Sequence, residues 1–286
     1  MKKRNWLCLL LIICCLVVLM CYRTLDQMRT DSTPPVITVD QQPLELSALE
    51  ARSALLQGVS ARDDVDGDVT ASLVVESIRL TEADGTVAVT YAAFDKSGNV
   101  SKAQREVHYN DYTRPRFSLR QPLLFTHSNP ELLDVISAYD ILDGDISHRV
   151  RATALDEVSV DYTGIYNVRF QVTNSLGDKV ELVFPVEIYN PSLFEAKMTL
   201  TDYLIYLNAG DSFNARNYLH SFIQGREEFS LSHGLPDALK LTISGKVDTG
   251  VPGIYEVNYQ ITYTPNPGTA AQIYTAYSKL IVIVEG

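Results

Sequence analysis

The sequence predicts an all-β fold, in which tandem β-sandwich domains follow one N-terminal transmembrane helix. Three observations carry this prediction. One apolar run follows three basic residues near the N-terminus, short alternating segments with turn signals fill the remainder, and several landmarks recur about 80 residues apart. The 286 residues are too many for one small sandwich and suit two or three domains.

The apolar run extends from Trp6 to Tyr22 and follows Lys2, Lys3 and Arg4. At about 17 residues it is at the short end for a spanning helix. The positive-inside rule places the basic tip in the cytoplasm and the remainder outside. Since no small-x-small cleavage site follows the run, an uncleaved signal anchor is the first interpretation. A buried core helix is one alternative.

The four cysteines lie in this same segment, at Cys8, Cys14, Cys15 and Cys21. A lipoprotein modified at Cys21 is therefore a second alternative to the signal anchor. The rest of the chain has no cysteine, which excludes a disulfide framework or a Cys-ligated zinc site there.

Composition indicates a folded, acidic protein. Hydrophobic residues make up 46% of the chain and charged residues 21%, so wholesale disorder is not expected. The formal net charge of −11 and the lack of a basic stripe argue against nucleic acid as a partner.

Two landmarks occur twice. Residues 31–37 (DSTPPVI) and 111–117 (DYTRPRF) share the spacing Asp-x-Thr-x-Pro. Further along, residues 63–70 (DDVDGDVT) match residues 139–147 (YDILDGDIS), and these two segments are called here the first and second acidic turns. The repeats predict two consecutive domains of one kind.

A third landmark occurs three times, at residues 85–91, 164–170 and 253–259. Each copy alternates with period two from a leading Gly to a Tyr or Phe, which predicts a half-buried strand. In the first two copies a turn follows, at residues 95–99 (DKSGN) and 174–178 (NSLGD). One face of the first copy is predicted to hold Val87, Val89 and Tyr91.

These landmarks divide the chain into five parts. The predicted parts are a cytoplasmic tip and signal anchor at 1–23, a stalk at 24–33, and domains at 34–110, 111–190 and 191–286. The third domain lacks the acidic turn and is predicted to be divergent.

The combination of a Pro-rich start, an acidic turn, the alternating strand and a Ser-Gly-Asn turn resembles bacterial Ig-like repeats. This family includes the Ig-like domain of insecticidal crystal toxins and HYR-like surface modules. The resemblance implies an immunoglobulin-like sandwich, but not one function, because such modules serve as spacers, adhesins and ligand binders. Residues 161–168 also look like a tyrosine corner built on Tyr166, with a looser version at 248–257.

The acidic turns are the candidate metal sites, because Ca²⁺ prefers closely spaced carboxylates around a Gly. The candidate ligands are Asp63, Asp64, Asp66, Asp68, Asp140, Asp143 and Asp145. Neither turn has the Glu of an EF-hand, so a structural Asp-Gly turn is the preferred interpretation and calcium the alternative. Asp31 and Asp111 are further candidates at the start of each domain.

No other chemistry is indicated. His108, His127, His148, His220 and His233 do not fall at metal-ligand spacing, and no nucleophile elbow, P-loop, dinucleotide fingerprint or zincin motif is present. The chain is therefore predicted not to be an enzyme. A group of aromatics makes the third domain the first choice for a specific ligand, although burial in the core is the preferred interpretation for them: Tyr203, Tyr206, Phe213, Tyr218 and Phe222.

The leading functional hypothesis is a cell-membrane protein, anchored through its N-terminal helix, that acts as a structural spacer or an adhesion and interaction module. Its expected partners are the membrane and an unknown protein or glycan of the cell envelope. A carbohydrate-binding array, marked by an exposed aromatic row, and an accessory subunit of an envelope complex are the alternatives.

Overall fold

A computed structural model describes residues 6, 12–23, 31–40, 44–126, 131–155, 163–189, 196–232, 234–265 and 272–286. The contacts within it divide the chain into two units, Met1–Tyr112 and Thr113–Gly286. Strands dominate both units, as the alternating patterns predict.

Besides the helix at residues 12–23, the described part of the first unit contains seven strands and two short 3-10 helices. These are β1 (Val36–Val39), β2 (Leu44–Leu46), a 3-10 helix (Arg52–Leu56), β3 (Val59–Asp63), β4 (Gly67–Asp68), a 3-10 helix (Thr70–Ser72), β5 (Val74–Leu80), β6 (Thr86–Phe94) and β7 (Val100–Tyr109). One sheet has the order β1-β3-β4 and the other β2-β7-β6-β5. Among the described strands of this unit, only β2 and β7 pair in parallel. This is the two-sheet arrangement of a β-sandwich.

Strand β6 confirms the predicted alternation. Val87, Val89 and Tyr91 are fully buried on one face, where each valine contributes roughly 1.5–3 kcal/mol through its burial. The Tyr91 hydroxyl donates a 2.7 Å hydrogen bond to the carbonyl of Leu55. This bond ties the central strand to the 3-10 helix that follows β2.

The second unit begins with a sandwich of the same design. Its elements are β8 (Arg116–Leu119), β9 (Leu124–Thr126), a short helix (Leu132–Val135), β10 (Ile136–Asp140), β11 (Gly144–Asp145), a 3-10 helix (Ser147–Arg149), β12 (Arg151–Ala154), β13 (Gly164–Thr173) and β14 (Lys179–Tyr189). The sheet orders are β11-β10-β8 and β12-β13-β14-β9, again with a parallel pair between the second strand and the last.

The design occurs once more in the rest of the second unit. The elements are β15 (Ala196–Leu200), β16 (Leu204–Asn208), a 3-10 helix (Ala215–Tyr218), β17 (Leu219–Gln224), β18 (Glu227–Ser230), β19 (Leu239–Ser244), β20 (Gly253–Tyr263) and β21 (Tyr274–Glu285). The sheets read β15-β17-β18 and β16-β21-β20-β19, with β16 parallel to β21. The segment without an acidic turn therefore has the strand order of the other two.

One hydrophobic core runs through both sandwiches of the second unit. Phe170 and Phe184 pack at its centre, with ring centroids 5.7 Å apart. The Tyr259 hydroxyl donates to the carbonyl of Ala215 at 2.9 Å, which repeats the Tyr91 bond of the first unit. Of the predicted aromatic group, Tyr203 and Phe222 are buried, and Tyr206, Phe213 and Tyr218 are partly buried.

Residues 12–23 are helical. Within the described residues, no helix has both the length and the apolar character needed to cross a membrane. The other residues of the predicted anchor, 1–5 and 7–11, and residues 24–30 of the predicted stalk lie outside the described residues.

The looser of the two predicted tyrosine corners forms a bond back to its own chain. The Tyr255 hydroxyl donates to the carbonyl of Val251, four residues upstream, at 2.8 Å. Tyr166 is half-buried at the start of β13, and Asp161 of the same motif lies outside the described residues.

Candidate functional site

Each acidic turn folds around its first buried aspartate. Asp63 ends β3, and its Oδ1 accepts the N–H groups of Val65 and Asp66 at 2.9 and 2.8 Å. Gly67 then takes a φ of 76°, a conformation that favours glycine and closes the turn. This local capture of backbone N–H groups is the structural role that the sequence favours for such a turn.

The second acidic turn has the same backbone. Asp140 ends β10, and its Oδ1 accepts the N–H groups of Leu142 and Asp143 at 2.9 and 3.0 Å. Gly144 has a φ of 70°. The two turns can therefore be compared atom by atom.

Two of the predicted ligands in the first turn accept hydrogen bonds from protein donors outside the cluster described below. Asp66 accepts the Lys96 N–H at 2.7 Å, and Asp68 accepts the Thr70 N–H at 2.9 Å. The N–H and ammonium of Lys96 hold the pKa of Asp66 below its usual value, and the Thr70 hydroxyl and N–H do so for Asp68. Asp64 is exposed on the surface of the turn.

Their counterparts in the second turn accept from protein donors too. Asp143 accepts the N–H and hydroxyl of Ser175 at 2.7 and 2.6 Å and pairs with Arg149. Burial opposes ionisation of Asp143, but these donors together lower its pKa. Asp145 accepts the N–H and hydroxyl of Ser147, which lower its pKa as well.

Asp63 instead joins two aspartates from other parts of the first unit. One carboxylate oxygen from each of Asp31, Asp63 and Asp95 lies within 4.8 Å of the others, and these three residues are called here the carboxylate cluster. Asp31 precedes β1, Asp63 ends β3 and Asp95 follows β6. Asp63 is 2% exposed and Asp95 9%. Three separate segments of the sandwich thus bring negative charge to one partly dehydrated point.

Local donors occupy only some of the oxygens in the cluster. Asp31 Oδ1 accepts the N–H and hydroxyl of Thr33, and Asp95 accepts the backbone and side-chain N–H groups of Asn99. The buried Oδ2 atoms of Asp31 and Asp63 find no hydrogen-bond donor among the described residues. A buried carboxylate oxygen without a donor is costly, so the arrangement needs a positive partner.

The second sandwich supplies that partner from its own side chains. Asn174 stands at the position of Asp95, and its Nδ2 donates to Asp140 Oδ2 at 3.0 Å. Asp178 stands at the position of Asn99, and both Nε and Nη2 of Arg114 donate to it, at 3.1 and 2.6 Å. An amide and a guanidinium therefore satisfy the carboxylates of the second sandwich.

The structure differs from the predicted ligand set in three ways. Asp63 lies in a cluster with Asp31, while Asp66 and Asp68 face other donors. Asp111 accepts the hydroxyl of Ser47 and the N–H of Ala48 within the first unit. Asp95, the third member of the carboxylate cluster, was not among the predicted candidates, although the turn that contains it was recognised as the counterpart of residues 174–178.

The histidines form no metal group within the described residues. His108 Nδ1 lies 3.3 Å from the Thr86 hydroxyl, His148 lies in the 3-10 helix Ser147–Arg149, and His220 lies in β17. His127 and His233 lie outside the described residues.

A second feature is a cavity of about 440 Å³ in the second unit, lined from strands that include β14, β20 and β21. Lys279 is 2% exposed on its wall, with Nζ 2.8 Å from Glu256 and 3.5 Å from Glu187. The buried hydroxyl of Ser278 finds no hydrogen-bond partner among the described residues. The wall also includes Tyr189 and Tyr277.

No protein-family model matches the chain. The pesticidal crystal protein Cry22Aa of Bacillus thuringiensis is 25% identical over 236 residues, which cover 81% of this chain and 31% of that protein. An uncharacterised 81.3 kDa protein of Acholeplasma phage L2 is 31% identical over 121 residues, 41% of this chain and 15% of that protein. The chain thus spans less than a third of the length of these relatives. The expected resemblance to an insecticidal crystal toxin is found with Cry22Aa.

The solved structures that match include a cadherin and domains of a Clostridium perfringens protein. Drosophila N-cadherin EC1-3 covers 86% of this chain and 98% of its own, at 11% identity and a TM-score of 0.29. The CBM51-2 and INT domains of Clostridium perfringens ZmpB, solved with GlcNAc, cover 88% and 42%, at 14% identity and a TM-score of 0.22. Structural similarity at these TM-scores does not indicate a shared function.

Proposed function

We propose that this chain is a membrane-anchored, extracytoplasmic protein without catalytic activity, whose tandem Ig-like sandwiches act as a spacer and an adhesion or interaction module. The observation that carries the proposal is the threefold recurrence of one strand order, in which the second strand always pairs in parallel with the last. Repeated sandwiches joined by short connections suit the display of a binding surface at a distance.

The sequence supports the anchoring. Lys2, Lys3 and Arg4 precede the apolar run, and the positive-inside rule then leaves the sandwiches on the outer side of the membrane. We expect the full chain to remain in the membrane pellet after carbonate extraction and the C-terminus to be cleaved by protease on intact spheroplasts. Full-length protein in the carbonate supernatant would contradict the anchor.

The interaction role has its own test. A chain displayed on a bacterial surface is expected to increase attachment of the cells to an envelope protein or glycan, and a chain carrying only residues 1–33 is not. Equal attachment by the two cell populations would contradict an adhesive role and leave the spacer role.

The cavity of the second unit favours glycan binding as a second candidate function. Carboxylates, an ammonium group and aromatic rings on one wall are the groups that recognise sugar hydroxyls and sugar faces. We expect Tyr277→Ala to weaken glycan binding at least about tenfold. Tyr139→Ala is the matched control, since Tyr139 is 63% exposed on β10 and does not line the cavity. Equal binding by both variants would place the glycan site elsewhere.

A further inference from the structure

We propose that the first unit binds one Ca²⁺ ion at the carboxylate cluster of Asp31, Asp63 and Asp95, and that the second sandwich has replaced this ion with Asn174. The inference goes beyond the proposed function, because it holds whether or not the chain is anchored or adhesive. It follows from the charge, the hydrogen bonding and the size of the cluster, and from the contrast with the second sandwich.

Charge is the first step. Three carboxylates converge, and among the described residues none of them takes part in an ion pair. Asp66, another acidic residue of the turn, already takes the ammonium of Lys96. Like charges at this separation repel strongly where water is partly excluded, so a cation lowers the free energy of the folded unit.

Hydrogen bonding is the second step. Asp63 is almost fully buried, and its Oδ1 is committed to two N–H groups of the turn. Its Oδ2 has no donor among the described residues, and the same is true of Asp31 Oδ2. These two buried oxygens have lone pairs available and belong to carboxylates that converge. A metal ion is a ligand that accepts such lone pairs.

The spacing of the carboxylates is compatible with a calcium ion. Calcium–oxygen distances are about 2.3–2.6 Å, so two ligands on opposite sides of one Ca²⁺ are about 4.6–5.2 Å apart. The ligand atoms of the cluster fall within 4.8 Å of one another. Magnesium, at about 2.1 Å, needs a tighter and more regular shell. Calcium also accepts water and backbone carbonyls in its remaining positions.

The second sandwich supplies an internal comparison on the same backbone. There the residue at the position of Asp95 is Asn174, whose amide donates to the oxygen of Asp140 that corresponds to the unpartnered Oδ2 of Asp63. A donor thus stands where the first unit needs a cation. Arg114 adds a positively charged donor to the neighbouring Asp178.

The position of the cluster gives the ion a mechanical role. Asp31 lies ahead of the first strand, whereas Asp63 and Asp95 follow β3 and β6. Asn99 already links these segments by donating to the Asp31 carbonyl at 3.1 Å. An ion shared by the three carboxylates fixes the end of the predicted stalk, which contains Asp31, to the centre of the sandwich.

The test is calorimetric titration of the full chain in detergent with CaCl₂, together with thermal unfolding at 0 and about 10 mM calcium. We expect one site with a Kd of about 10⁻⁴–10⁻³ M, the range of extracellular modules, and a raised unfolding midpoint. Asp63→Asn and Asp95→Asn are expected to weaken binding at least about tenfold. Asp68→Asn removes the same charge from the same turn outside the cluster, and we expect it to bind like the wild type.

Asp95→Asn also separates lost binding from lost folding. Because it places in the first unit the amide that Asn174 provides in the second, it is expected to keep wild-type circular dichroism and a calcium-free midpoint at least as high as the wild type. Absence of both heat and a midpoint shift in the wild type would overturn the proposal. So would unchanged affinity in a folded Asp95→Asn variant.

Discussion

The first and second acidic turns have the same backbone conformation but differ in the side chains that face their buried aspartates. In the first unit Asp63 faces Asp31 and Asp95, and two carboxylate oxygens lack donors among the described residues. In the second, Asp140 faces the amide of Asn174. A site that needs a cation is therefore separated from a site that satisfies itself by the exchange of a carboxylate for the Asn174 amide, together with the Arg114–Asp178 pair and the turning of Asp111 toward Ser47.

The exchange preserves the turn because Asp and Asn present the same acceptor to the chain. Asp95 Oδ1 accepts the Asn99 N–H at 2.8 Å, and Asn174 Oδ1 accepts the Asp178 N–H at 2.9 Å. The difference lies in the second polar atom of each side chain. Oδ2 of Asp95 is a carboxylate oxygen that accepts hydrogen bonds, whereas Nδ2 of Asn174 is an amide nitrogen that donates them. The fold can thus keep its β-hairpin while its dependence on an ion changes.

The largest expected effect is that of Asp140→Ala. This side chain accepts two backbone N–H groups and the Asn174 amide, and its removal leaves three donors of a buried turn without an acceptor. We expect a loss of about 3–5 kcal/mol in the free energy of unfolding of the second unit, measured in urea. The loss should be the same with and without calcium. A loss that calcium reverses would contradict the contrast between the repeats.

A smaller effect is expected for Asn174→Asp, which makes the second sandwich resemble the first. The new carboxylate replaces an amide nitrogen that lies 3.0 Å from Asp140 Oδ2. Two buried negative charges therefore lie next to each other and repel. We expect a loss of about 2–3 kcal/mol at pH 7 that shrinks as the pH falls toward 5, because the pair then shares a proton. Urea titrations at pH 7 and 5 measure it, and a loss independent of pH would contradict the explanation.

Tyr91→Phe tests another difference between the first and second sandwiches, which lies in the central strand. Tyr91 and Tyr259 each bond to a 3-10 helix, whereas Phe170 stands at the same position of the second sandwich and has no hydroxyl. Loss of the bond to Leu55 is expected to cost about 1 kcal/mol. Phe170→Leu, at the site without the bond, is the packing comparison in the same urea assay. A Tyr91→Phe chain as stable as the wild type would show that this bond contributes no net stability.

The smallest expected effect is the acid dependence of Asp143. Its pKa is lowered in the folded state, so its contribution to stability is complete above the unfolded value of 3.8 and is lost as the pH falls through the folded pKa. We expect the stability difference between wild type and Asp143→Asn to be constant from pH 6 to 8 and to shrink below about pH 3.8. A difference that grows in acid would have the wrong sign.

Local patterns predicted most of the fold. The alternation at Val87, Val89 and Tyr91 identified a central strand, and the acidic turns marked the ends of β3 and β10, because both features depend on nearby residues. The cluster was harder, since Asp31, Asp63 and Asp95 are about 30 residues apart and meet only in the folded sandwich. Spacing along the chain cannot show which of several aspartates in a turn points outward to other donors and which points inward.

The central claim, that one repeat holds an ion where the other holds an amide, is tested most directly by a crystal structure of the chain grown with calcium. The account predicts anomalous density within about 2.3–2.6 Å of carboxylate oxygens of Asp31, Asp63 and Asp95, and none beside Asp140. Density beside Asp140, or a cluster that holds no ion at millimolar calcium, would contradict it.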